Sequence, residues 1–104
     1  MITRDPFDLT GRIAVVTGGY GVLGAGMALE LARAGARVAI LGRRLDAAEK
    51  MAEEIRGAGG EAMPLAADVL EREQLVRARE SVLERWSTLD ILVNAAGGDR
   101  KSVV

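Results

Sequence analysis

The stretch "RIAVVTGGYGVLG", Arg12–Gly24, decides how this chain folds. Its first half, Arg12–Thr17, is a β-branched apolar run bounded by Gly11 and Gly18, the pattern of a short strand buried on both faces. Its second half is a glycine turn opening onto a helix that begins near Val22. Gly19, Gly21 and Gly24 fit G-x-G-x-x-G inside this strand-turn-helix unit. The spacing has a physical basis: an early glycine makes the tight turn, a middle one lets the backbone approach a pyrophosphate, and a late one lets helix and strand pack closely. The helix N-terminus then presents free N–H groups and the positive end of its dipole to the phosphates. The competing reading is a glycine-rich turn that binds nothing.

Working outward, Leu23, Met27 and Leu31 recur at spacing four, with Ala25, Ala28, Ala32 and Ala34 between them. That predicts a helix with small residues for close packing, stopped by Gly35. Ala36–Leu41 reads as a second buried strand. A helix from Leu45 to Arg56 follows, with Asp46 and Glu49 as its capping box and Gly57 as its end. Glu61–Ala66 is a third strand, and Pro64 within it argues for pairing on one side only. A third helix spans Glu71–Trp86, with Leu75, Val82, Leu83 and Trp86 on one face. Ile91–Val93 is a fourth strand, apolar throughout. The order β-α-β-α-β-α-β, with crossovers long enough for parallel pairing, predicts an α/β fold: a doubly wound parallel sheet of order 3-2-1-4. A flavodoxin-like α/β domain without this ligand site is the alternative.

Composition removes several function classes. The 104 residues carry 14 basic and 15 acidic side chains, so no basic surplus points to nucleic acid or to an anionic membrane. There is no Cys, hence no disulfide and no thiolate chemistry, and no His, hence no imidazole catalysis and no His-ligated metal. No apolar run approaches the ~20 residues of a bilayer span, and the N-terminus lacks a signal-peptide core. A cytoplasmic location is the expectation.

Three further strand ends carry candidate chemistry. A dinucleotide turn ordinarily expects an acid ~20 residues on, closing the second strand and holding the ribose 2′-OH. Gly42 stands there instead, followed by Arg43 and Arg44. An acid would repel a 2′-phosphate, whereas Arg grips one bidentately, so NADP is expected over NAD. Both arginines as solvated helix-entry charges is the alternative. Asp68 follows the third strand and can accept the exocyclic amine of adenine while Val69 packs on the ring; otherwise Asp68 caps the next helix. "NAAG", Asn94–Gly97, ends the fourth strand across the switch point, where a nicotinamide ribose would lie, or forms an ordinary strand-end turn. Tyr20, at the loop tip, covers the ligand or is an exposed bystander. Trp86 and the four methionines read as packing residues. The candidate cofactor contacts are therefore Gly18, Gly19, Tyr20, Gly21, Leu23, Gly24, Arg43, Arg44, Asp68, Val69, Asn94, Ala95 and Gly97.

Taken together, "TGGYGVLG", "LGRR", "ADV" and "NAAG" resemble the short-chain dehydrogenase/reductase family, from about Phe7 to Gly98. The resemblance implies a Rossmann fold, NADP or NAD as cofactor, hydride transfer between nicotinamide and an alcohol or carbonyl, and a homo-oligomeric parent protein. "FDLTGR" and "TGGYGVLGAGMA" are also similar to its mannonate or fructuronate sugar-acid oxidoreductases. The glycine register divides two branches. The compact branch reads T-G-x-x-x-G-x-G, which would place glycine at Val22. The extended branch, with its nucleotide-sugar epimerases and dehydratases, reads T-G-x-x-G-x-x-G, which Gly18, Gly21 and Gly24 fit. "NAAG" belongs to the compact branch, and that match outweighs one shifted glycine.

In the compact branch, chemistry rests on a Ser and a Tyr-x-x-x-Lys pair beyond the fourth strand. Tyr20 is the one tyrosine of this sequence, and neither Lys50 nor Lys101 stands four residues after it, so no residue here receives the catalytic role. Residues 1–98 are thus expected to be the N-terminal part of a dinucleotide-binding domain. Residues 99–104, "DRKSVV", are expected to be a tail foreign to the family pattern, either introduced when the gene was read or assembled or a native short tail. The 104-residue chain alone is expected to be marginally stable, aggregation-prone and without reductase activity, an inert nucleotide-binding fragment.

Overall fold

The computed structural model describes residues 8–18 and 20–95. Seven elements alternate: β1 (Ile13–Thr17), α1 (Val22–Arg33), β2 (Arg37–Gly42), α2 (Leu45–Gly57), β3 (Glu61–Ala66), α3 (Arg72–Trp86) and β4 (Ile91–Asn94). All three strand pairings are parallel and the sheet order is β3-β2-β1-β4, the doubly wound order expected. Register aligns Thr17 with Leu41 on one side and Asn94 on the other, and Gly42 with Ala66. Pro64 pairs with Ile40 on an edge strand, where its missing N–H faces away from the ladder.

Two packed layers follow from the twofold alternation of strand side chains. Ala14, Val16, Val38, Ile40 and Ala62 point to one face, where Ala28 of α1 and Ala48, Met51, Ala52 and Ile55 of α2 cover them. Ile13, Val15, Ala39, Leu41 and Leu65 point to the other, where Ala78, Val82 and Trp86 of α3 cover them. Trp86 is a packing residue that also donates its indole N–H to Glu61 Oε2 at 3.1 Å, tying α3 to the edge strand. Among the described residues no helix is long and apolar enough to cross a membrane.

Several local expectations are corrected. α1 does not bury Leu23 and Met27, which are exposed; it lies on the sheet through Gly24 and Ala28, because small side chains let the backbones approach. On α3, Leu83 is likewise exposed, and Ala78 takes its place in the core. Asp46 and Glu49 form no capping box: the N-cap of α2 is Arg44, without a side-chain cap bond, and Asp46 sits in the first turn. α2 runs through Gly57, and the left-handed stop is Gly59 at φ +94°. There the Gly60 N–H reaches Ile55 O at 2.9 Å and the Gly59 N–H reaches Arg56 O at 3.0 Å, a Schellman closure. Gly35 stops α1 the same way, with Ala36 N–H on Leu31 O at 3.1 Å. β4 is only half-buried, and its Leu92 is 42% exposed.

Candidate nucleotide-binding site

Parallel pairing brings the carboxyl ends of all four strands to one edge of the sheet, at the switch point between β1 and β4. Backbone bonds continue the ladder past the strands and hold those ends together. Gly18 N–H donates to Leu41 O at 2.7 Å, Ala67 N–H to Gly42 O at 2.9 Å, and Ala95 N–H to Thr17 O at 3.1 Å. Gly18, Arg43, Arg44, Asp68, Val69, Asn94 and Ala95 are therefore gathered at one edge, with Tyr20, Gly21, Leu23 and Gly24 on the turn above β1. Gly19 and Gly97 lie outside the described residues.

The turn is shaped for close approach. Gly18 reverses the chain at φ +68°, and its carbonyl accepts the Gly21 N–H at 3.0 Å. Gly21 is the N-cap of α1 and, being glycine, brings no side-chain cap; the Ala25 N–H returns to its carbonyl at 2.7 Å. The first turn of α1 thus opens its N–H groups toward the edge without a competing side chain. Gly24 is buried against the sheet, while Val22 and Leu23 face solvent.

At the end of β2, the two arginines differ. The Arg44 guanidinium meets Asp46 with Nη2 to Oδ2 at 3.0 Å. That bond raises the Arg44 pKa, and it pulls the Asp46 carboxyl below the usual range, with the Ala47 N–H adding to the shift. Arg43 is exposed and, among the described residues, has no ion-pair or hydrogen-bond partner. Tyr20 leans across from the turn: its hydroxyl oxygen accepts the Arg44 backbone N–H at 3.2 Å.

On the other strand ends, Asp68 is engaged locally. Its Oδ1 accepts the Leu70 N–H at 2.9 Å, its own N–H donates to Gln74 Oε1 at 2.8 Å, and its carbonyl accepts the Glu71 N–H at 2.9 Å. One carboxylate oxygen is thereby used by an Asx turn leading into α3. Val69 is half-buried against the α3 core layer. Across the switch point, the buried Thr17 hydroxyl lies 2.8 Å from Asn94 Oδ1 and 3.4 Å from Val93 O. A hydroxyl has one proton, and the shorter bond takes it, which orients the Asn94 amide with its oxygen inward. Sequence reasoning missed Thr17 as an orienting residue, and it missed the contact between Tyr20 and Gly42; a glycine inside a buried strand was the available sign of the second.

The short chain dehydrogenase family profile matches residues 12–104. The chain belongs to the short chain dehydrogenase family. Within that family it is 46% identical over 97 residues to the uncharacterized oxidoreductase UxuB of Bacillus subtilis (strain 168), covering 93% of this chain and 35% of the relative. A candidate D-mannonate oxidoreductase from Haemophilus influenza, solved with bound NAD, superposes with a TM-score of 0.84 at 36% identity. That match covers 89% of this chain and 33% of the other. A metagenomic short-chain oxidoreductase in complex with NADP superposes with a TM-score of 0.82 at 37% identity, covering 86% of this chain and 41% of the other. The chain spans about a third of the length of the curated relatives it matches, 35% in the case of the Bacillus subtilis oxidoreductase.

Proposed function

We propose that this segment is the cofactor-binding half of an oxidoreductase that moves hydride between a nicotinamide dinucleotide and an alcohol or carbonyl, with NADP preferred over NAD. The observation that carries the reading is the open strand edge: a bare glycine turn over β1, an acid-free end on β2 with an unpaired Arg43, and Asn94 oriented across the switch point. These features fit the group. The α1 N-terminus carries no side-chain cap that would compete with a pyrophosphate, and the end of β2 offers cationic and hydrogen-bonding groups instead of a repelling carboxylate.

In this reading Gly18, Gly19, Gly21, Leu23 and Gly24 form the pyrophosphate cradle. Arg43 meets the 2′-phosphate, assisted by Arg44 when its pair with Asp46 exchanges. Asp68 accepts the adenine amine through the carboxylate oxygen left over from the Asx turn, and Val69 lines the ring. Asn94, Ala95 and Gly97 border the nicotinamide ribose. When bound, the dinucleotide supplies or accepts the hydride; these residues bind and orient it. A sugar acid as substrate is supported by likeness to the candidate D-mannonate oxidoreductase. The Gly18, Gly21, Gly24 spacing favours a second reading, an extended-branch epimerase or dehydratase.

Calorimetric titration of the chain with NADPH and with NADH tests the proposal. Arg43 on a 2′-phosphate predicts NADPH binding at least about tenfold tighter, or ~1.4 kcal/mol. Equal affinities would remove the NADP preference, and no binding of either dinucleotide would remove the cofactor reading.

A further inference from the structure

Gly42 closes β2 at the position from which a side chain would reach the adenosine ribose. Its backbone does not require glycine, because the glycines with left-handed φ among the described residues are Gly11, Gly18, Gly35 and Gly59. What a side chain there would displace is Tyr20. A Cβ built on Gly42 would clash with the hydroxyl-bearing edge of the phenol ring, 2.6 Å from both Cζ and Oη, and its three nearest neighbours are all Tyr20 atoms. The ring is held at two points: its carbons pack against the β1–β2 core layer, and its oxygen accepts the Arg44 N–H at 3.2 Å. A phenol can accept and donate at once, and among the described residues the Tyr20 proton has no acceptor.

We infer that Tyr20 and Gly42 are a reciprocal pair that determines which ribose this site takes. The ring excludes any side chain from position 42, and with it the carboxylate that would read a free 2′-OH. In its place the site presents the phenolic O–H, on the strand end that also carries the unpaired Arg43. A donor and a cation together suit a 2′-phosphate, which is acceptor-rich and anionic, better than a 2′-hydroxyl. Tyr20 is thus a specificity-determining residue whose proton goes to a phosphate oxygen. Its ligand half rests on the cofactor reading above; its packing half does not.

Two measurements separate these halves. In the first, thermal unfolding of the full chain is compared for wild type, Gly42→Ala, Tyr20→Ala and the double variant. The pair predicts that Gly42→Ala lowers Tm by several degrees beside Tyr20, and by less than about a third of that beside Ala at position 20. An equal loss in both backgrounds overturns the packing. In the second, NADPH and NADH are titrated into wild type and Tyr20→Phe, which keeps the ring and removes the proton. The expected result is about a tenfold loss for NADPH and less than threefold for NADH. A wild type that prefers NADPH, with Tyr20→Phe unchanged or weakened equally for both, overturns the donor role and leaves the cofactor reading intact. A wild type that binds neither dinucleotide overturns the cofactor reading and the donor role with it.

Discussion

Arg44 and Asp46 stand two residues apart at the entrance to α2, joined at 3.0 Å and exposed to solvent. On the proposed reading, in which Arg44 assists with a 2′-phosphate, the carboxylate competes for the same guanidinium. The Asp46 pKa is lowered in the fold, which fixes the sign of its pH dependence. The pair's contribution is present above the ordinary carboxylate pKa of about 3.9 and is lost as pH falls through the depressed folded value. Carbon-detected NMR titration of Asp46 should show a midpoint below that ordinary value, and Arg44→Ala should return it upward. A midpoint that ignores Arg44→Ala would show that the Ala47 N–H alone holds the carboxylate. On the other side of the switch point, Thr17→Val should release the Asn94 amide while leaving the volume of this buried position nearly unchanged. The check is the Asn94 side-chain amide resonances, which should shift and broaden, with a stability loss of about 1 kcal/mol. Unmoved resonances would exclude the orienting bond.

At the scale of elements, α1 shows what apolar periodicity reveals and what it hides. Spacing of large residues located the helix correctly, but Leu23 and Met27 of its stripe face solvent and only Leu31 packs partly on the core, while Gly24 and Ala28 are the buried residues. Hydrophobic patterning ranks residues by size, whereas close packing of a helix on a sheet selects small ones. Ala28 is wholly buried, so Ala28→Leu should cost about 1–3 kcal/mol by overpacking, while Met27→Gln on the outer stripe should stay within about 0.5 kcal/mol. Chemical denaturation of the two variants measures this, and comparable losses would mean that the outer stripe also packs. The α2 boundary has the same lesson. Gly57, Gly59 and Gly60 all sit near its end, and only the φ of Gly59 and the two carbonyls closed behind it show which one turns the chain.

For the whole molecule, strand order and the gathering of the strand-end motifs at one edge were legible because parallel strands joined by right-handed crossovers leave few arrangements. That topology puts every strand-end motif on one side regardless of loop detail. The contact of Tyr20 with Gly42 was not legible, because residues 20 and 42 meet only after the β1 turn and the end of β2 are brought together. Nor was the exposure of β4. Its edge place, paired among the described residues with β1 alone, is the one the order 3-2-1-4 implies, but its side chains read as buried and Leu92 is 42% exposed. A strand with one unpaired edge and an apolar open face is a template for association. The 104-residue chain should therefore self-associate at concentrations on the order of 10 μM and above, seen as a rising hydrodynamic radius in light scattering. Leu92→Lys places a charge on that face and should raise the onset concentration several-fold without loss of the helical circular-dichroism signal. A wild-type chain that stays monomeric across this range would mean that the β4 edge is protected, and an unchanged onset in Leu92→Lys would move the sticky surface elsewhere, with the exposed Leu83 of α3 the next residue to test.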